Sequence, residues 1–236
     1  MKQYLIFTIP TFGLLLISAI LGAIYLNKHK SSGGIKMFVA FLWFTVLVEI
    51  IGSYTAIRHL TENEWFGFTL DSPFERNFWL YNAYFIISFV VYIHFFKLQL
   101  KLRRNRVIIE ILLSLFIIAS VLNLIFSGVY LIGFSSFTNI AGTLLILFTI
   151  SLYYYQLLTS DAILEIKNSI IFYISLGAIL LHIALTPLTI YSIFYNKEFG
   201  QSEFLDLFRI MIFTINVLVY LIYSAGFYIC RNMKFS

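Results

Sequence analysis

Two ionisable residues, Glu49 and His182, stand deep inside long apolar stretches, far from either end of the run. A carboxylate and an imidazole can pass a proton, hold a polar ligand, or satisfy one another as a buried pair. An acidic side chain at the centre of a membrane helix costs on the order of 2.5–3.5 kcal/mol on insertion scales, so Glu49 is expected to face protein or water. Helical spacing places Thr45, Gly52, Ser53 and Ala56 on its face, a small and polar stripe that turns inward. The same spacing gathers Ser175, Ala178, Thr186 and Thr189 around His182, and Pro187 frees a backbone carbonyl one turn before it. Counting 1.5 Å per residue from Lys36 and from Asn168 puts Glu49 about 20 Å and His182 about 21 Å from one membrane surface. The two are therefore expected nearly level, as natural partners, although helix order alone does not make them touch. A third polar face carries Asn216, Tyr220, Tyr223 and Ser224. The candidate ligand- or proton-binding set is Glu49, His182, Asn216, Ser53 and Tyr220.

Other polar residues in these stretches read as helix–helix contacts. Asn82, Asn123, Ser88, Ser120 and Ser127 suit interhelical hydrogen bonds of about 0.6–2 kcal/mol. Ser18 and Gly22 form a small-xxx-small pair, read as packing rather than dimerisation. No catalytic set accompanies them. The four histidines form no His-x-x-x-His or His-Glu-x-x-His pair, and neither a Gly-x-Ser-x-Gly elbow nor a phosphate-binding glycine loop occurs. The single cysteine, Cys230, excludes an intrachain disulfide. No catalytic residue, metal ligand or cofactor is assigned.

The elements that must carry these residues are membrane helices. Hydrophobic residues make up 61% of the 236 and charged ones 11%, against roughly 45–50% and about 25% in ordinary globular domains. Mean hydropathy is +0.91. Apolar runs near the ~20 residues that span a bilayer fall at about 4–26, 37–57, 77–96, 107–127, 138–158, 168–195 and 205–229. The fourth and fifth are divided near Ser127-Gly128, with Gly133-Phe134-Ser135-Ser136 as turn material. The first run exceeds the ~7–15 residues of a signal-peptide core and is expected to stay as a crossing. The fold class is all-α: a polytopic membrane bundle of about seven transmembrane helices in one domain, 1–236.

Basic residues of short loops stay cytoplasmic. Lys28, Lys30 and Lys36 follow the first run, and Lys97, Lys101, Arg103, Arg104 and Arg106 follow the third, which makes eight of the sixteen. Lys167, Arg231 and Lys234 fall on the same side. The N-terminus is thus expected outside and the C-terminus inside. These basic loops suit anionic lipid headgroups and explain the net charge of +5 without nucleic acid. Lys97 to Arg106 is also the expected docking loop for a cytoplasmic or membrane signalling partner. Trp65, Phe66, Phe68, Phe78, Trp79 and Tyr81 mark the outer interface, and Tyr153, Tyr154 and Tyr155 the inner one.

The phrases Tyr81-Asn82-Ala83-Tyr84-Phe85-Ile86, Leu152-Tyr153-Tyr154-Tyr155-Gln156-Leu157-Leu158 and Ile171-Phe172-Tyr173-Ile174-Ser175-Leu176-Gly177 resemble a group of small uncharacterised bacterial seven-helix membrane proteins associated with two-component sensor kinases. The resemblance implies a multi-pass protein of the bacterial inner membrane with a sensory role, and assigns no site. Three functions follow as expectations. The first is a non-enzymatic sensor or accessory component that binds a small or lipidic ligand from the outer side. The second is a small transporter or proton-coupled carrier using Glu49 and His182. The third is a lipid-modifying enzyme using the same pair as acid and base.

Overall fold

The computed structural model describes the backbone of residues 2–29, 32–198 and 202–231, with their side chains except those of 2–6, 162, 189, 191–198 and 202–206. Lys30, Lys234 and the side chain of Thr189 lie outside the described residues. Nine α-helices are present among them: α1 (Lys2–Lys28), α2 (Gly33–Gly52), α3 (Tyr54–Leu60), α4 (Phe78–Gln99), α5 (Arg103–Phe126), α6 (Val129–Ile132), α7 (Ser136–Leu158), α8 (Ile170–Glu198) and α9 (Ser202–Cys230). Seven stretches are long and apolar enough to cross a membrane, with α2 and α3 counted as one. The chain is all-α and of multi-pass membrane architecture.

Most boundaries lie within a few residues of the apolar runs. The second run differs more. It begins at Gly33 rather than 37 and breaks at Ser53, whose N–H bonds back to the carbonyls of Glu49 and Ile50 while the chain restarts as α3. Asn77 Nδ2 donates to the Gly52 carbonyl at 3.2 Å and caps the break. Gly52 matters there for another reason. A Cβ on it would stand 2.8 Å from the Tyr81 hydroxyl, so a side chain at 52 would displace the Tyr81 ring tip that reaches Glu49.

Six helices close a ring in the order α1, α2, α4, α7, α8, α9 and back to α1, and α5 leans on the outside of α4 and α7. Helix α4 is the hub, touching α2, α5 and α7. Inside the ring the core is aromatic. Phe38, Phe95, Phe96, Tyr223 and Phe227 are fully buried, and the Phe38 ring meets Tyr223 edge-on at 5.3 Å. Edge-to-face pairs of this kind add about 0.5–1.5 kcal/mol beyond the area they bury. Outward residues are apolar too: Ile111, Leu115, Ile118, Leu122 and Ile125 of α5 are all exposed. A helix apolar all round belongs in lipid.

The bundle has two chemically distinct ends. At the basic end lie Lys28, Lys36, Lys101, Arg103, Arg104, Arg106, Lys167 and Arg231. Gln156 of α7 ties the α4–α5 turn down there, donating to the Gln99 carbonyl and accepting from Lys101 N–H. At the other end, the loop end, residues 61–77 carry Glu62, Glu64, Asp71, Glu75 and Arg76. Among the described residues the ion pair is Lys97 Nζ to Glu110 Oε2, at 3.6 Å.

Candidate functional site

Glu49 sits on α2 one turn below the break at Ser53. It is half-buried, and its Oε2 accepts a hydrogen bond from Tyr81 Oη at 3.1 Å. Below it the Thr45 and Tyr84 hydroxyls bond at 3.1 Å, and the Tyr84 ring stacks on Phe41. Tyr220 of α9 is half-buried. The small stripe read around Glu49 does turn inward: Thr45 and Gly52 are buried and Ser53 and Ala56 half-buried, while Ile50 and Ile51 face out.

His182 is elsewhere. It is 7% exposed, tilted against Phe89 at 4.7 Å and edge-on to Tyr92 at 5.4 Å, and its Nε2 has no hydrogen-bond partner. Tyr92 in turn shares a 2.8 Å hydrogen bond with Tyr223. The expectation that Glu49 and His182 lie level is corrected by these contacts. Tyr81, which holds Glu49, is eight residues above Phe89 and eleven above Tyr92 on α4, so the two sites are separated by roughly 12–17 Å of helix rise. Among the described residues no hydrogen bond or ion pair joins Glu49 to His182.

The other candidates divide. The Tyr220 carbonyl accepts from Ser18 Oγ at 2.9 Å, which ties α9 to α1. Ser53 Oγ donates to Ile50 O and Asn216 Nδ2 to Ile212 O, each within its own chain turn. Ser18 pairs with Ser224 at 2.8 Å, and Gly22 packs on Phe227, so that pair packs α1 on α9. Asn82 is helix glue: Nδ2 donates to the Tyr130 and Gly133 carbonyls and Oδ1 accepts from Ser135 N–H.

The loop end holds features that sequence reading took only as an interfacial belt. A groove of about 380 Å³ is lined by Ile50, Ile51, Tyr54, Ile57, Phe66, Phe68, Thr69, Phe74 and Trp79. Its two hydroxyls are engaged elsewhere, Tyr54 Oη donating to the Phe74 carbonyl at 2.6 Å and Thr69 Oγ1 to Phe66 O at 2.8 Å. Behind Thr69 lies Arg58, 4% exposed, whose Nη1 donates to Thr69 Oγ1 at 2.8 Å while its Nε has no partner. Glu62, Asn63, Phe66 and Asp71 all have positive φ, between 50° and 71°. Left-handed backbone is uncommon outside glycine and persists where surrounding structure enforces it, a condition that clusters at binding sites. The signal available in sequence was Arg58 immediately after the apolar run that carries Glu49. The chain matches no protein-family model, no curated protein and no solved structure.

Proposed function

We propose that this protein is a non-enzymatic sensory or accessory component of a bacterial inner membrane, which binds a lipidic ligand at the loop end and passes the signal to a partner. The N-terminus and the loop end face outward in this reading, and the C-terminus and the loop Lys97 to Arg106 face the cytoplasm. The observation that carries it is the groove: aromatic and aliphatic walls, no uncommitted hydroxyl, and a position at the end of the membrane-spanning helices. Small-molecule sites are mostly apolar pockets of about 300–1,000 Å³ with a few polar groups, and this one fits the lower part of that range. Its walls come from α2, α3, the 61–77 loop and α4. Helix α4 also reaches the basic end, where Lys97 and the α5 turn begin. A ligand that shifts α4 would therefore be felt at the proposed docking loop.

A photoactivatable alkyl probe in proteoliposomes tests this. Crosslinked peptides should map to residues 50–79 in excess of the lipid-facing peptides of α5. Labelling spread evenly over all exposed apolar surface would overturn the reading. A proton-coupled carrier is the second reading, favoured by His182 buried at mid-bundle with Nε2 unpartnered. Its requirement is proton or solute flux in the same liposomes that is lost in His182→Gln.

A further inference from the structure

We infer that the ligand of this groove is a single-chain amphiphile with an acidic head, a fatty acid or its close chemical kin, and that Arg58 selects the head. The inference rests on the groove being a lipid site and adds the class of lipid. The walls settle the chain: with both hydroxyls committed to protein acceptors, a polar ligand segment inside would find no partner. The size favours one chain over the two of a phospholipid, since about 380 Å³ lies near the small end of ligand pockets.

The head is argued from charge. Arg58 is a guanidinium buried to 4% exposure, and among the described residues no carboxylate lies within ion-pair distance of it. Its one hydrogen bond runs to Thr69, a wall residue, so a single hydroxyl separates the cation from the groove. Burying a charge is costly unless it is paired, and Nε, buried behind Thr69 and without a partner, is the donor that an anionic oxygen reaching past that hydroxyl would satisfy. Arginine meets a carboxylate through charge-assisted, often bidentate hydrogen bonds, about twice as strong as neutral ones. The loop's own Glu62, Glu64 and Asp71 are exposed and solvated, so they oppose an incoming anion weakly. Residues 62, 63, 66 and 71 have left-handed backbone, and within that loop Thr69 Oγ1 donates to the Phe66 carbonyl on the groove wall.

Fluorescence quenching provides the test. A Trp43→Phe/Trp65→Phe variant leaves Trp79, which lines the groove, as the sole tryptophan. In phosphatidylcholine nanodiscs at mildly alkaline pH, dibrominated C18 chains bearing a carboxylate, an alcohol or an amine are titrated, the acid ionised and the amine protonated. The acid should quench Trp79 at a concentration about tenfold lower than the alcohol, a difference of about 1.4 kcal/mol. Arg58→Gln should erase that preference and Arg58→Lys should keep part of it. If Arg58→Gln does not fold, the comparison of heads in the unaltered groove still decides. Equal quenching by acid and alcohol, or tighter binding of the amine, overturns the Arg58 assignment and leaves the lipid groove standing. Stronger quenching by brominated phosphatidylglycerol than by the acid overturns the single-chain assignment. If no head quenches Trp79 beyond brominated phosphatidylcholine, the groove itself is not a lipid site and the proposed function fails with it.

Discussion

The Tyr81 hydroxyl gives the Glu49 carboxyl a partner in a region where water is scarce, and glycine at position 52 makes the approach geometrically open. Glu49 and Tyr81 should therefore behave as one energetic unit, and Glu49 and His182 as two. Residues in contact show coupling of about 0.5–3 kcal/mol, whereas sites more than about 7–10 Å apart add within about 0.3–0.5 kcal/mol. Thermal melts of detergent-solubilised Glu49→Gln, Tyr81→Phe, His182→Gln and the two relevant double variants measure both cycles. We expect Tyr81→Phe alone to cost about 1–3 kcal/mol, the range for stranding a buried polar group. Non-additivity of Glu49→Gln with His182→Gln would show the separation along α4 to be wrong. Sequence reading found both ionisable residues because hydrocarbon makes them conspicuous. It could not find their partners, because Tyr81, Tyr84 and Tyr92 look like any interfacial or core tyrosine until α4 is placed between α2 and α7.

At the scale of elements, the seven crossings were legible because apolar length is a direct consequence of bilayer thickness. Their neighbours were not. Helices that are apolar on every side, such as α5, give no stripe to say which face meets protein, so the six-membered ring with α5 outside it was invisible in the sequence. The break at Gly52-Ser53 was missed for a related reason: Ser53 keeps helical backbone angles, φ −68° and ψ −12°, and no proline marks the spot. Small residues record the contacts better than large ones do. Gly142 of α7 faces the Phe89 ring of α4, and a Cβ there would lie 2.5 Å from a ring carbon. The ring has nowhere to go, held by Phe116 at 5.7 Å and His182 at 4.7 Å. Gly142→Ala should thus cost about 1–3 kcal/mol, as overpacking of a well-filled core does. Adding Phe89→Leu should recover a good part of the loss in the melting temperature. A neutral Gly142→Ala would mean that α4 and α7 are farther apart than described.

For the whole molecule the decisive asymmetry is charge between ends. Basic residues in short loops are retained on the cytoplasmic side, and nine described ones, Lys97 in the last turn of α4 among them, gather at the end where α1, α4, α7 and α9 finish. The loop end offers acids, exposed aromatic rings and the groove instead. Side-specific labelling converts this into a measurement. Cys230 is buried, with its Sγ directed at the Asn168 carbonyl, so the native thiol gives little background to a membrane-impermeant maleimide. Phe68 at the loop end is 82% exposed and Leu164 at the basic end 85% exposed, so each can carry a single introduced cysteine without disturbing the core. In intact cells Phe68→Cys should label rapidly and Leu164→Cys only after the membrane is permeabilised. The reverse pattern would place the groove in the cytoplasm, where a ligand from outside could not reach it, and would leave the basic loop facing away from any cytoplasmic partner. Because one fold must have its groove on one side and its docking loop on the other, this single comparison tests the direction in which a signal could travel.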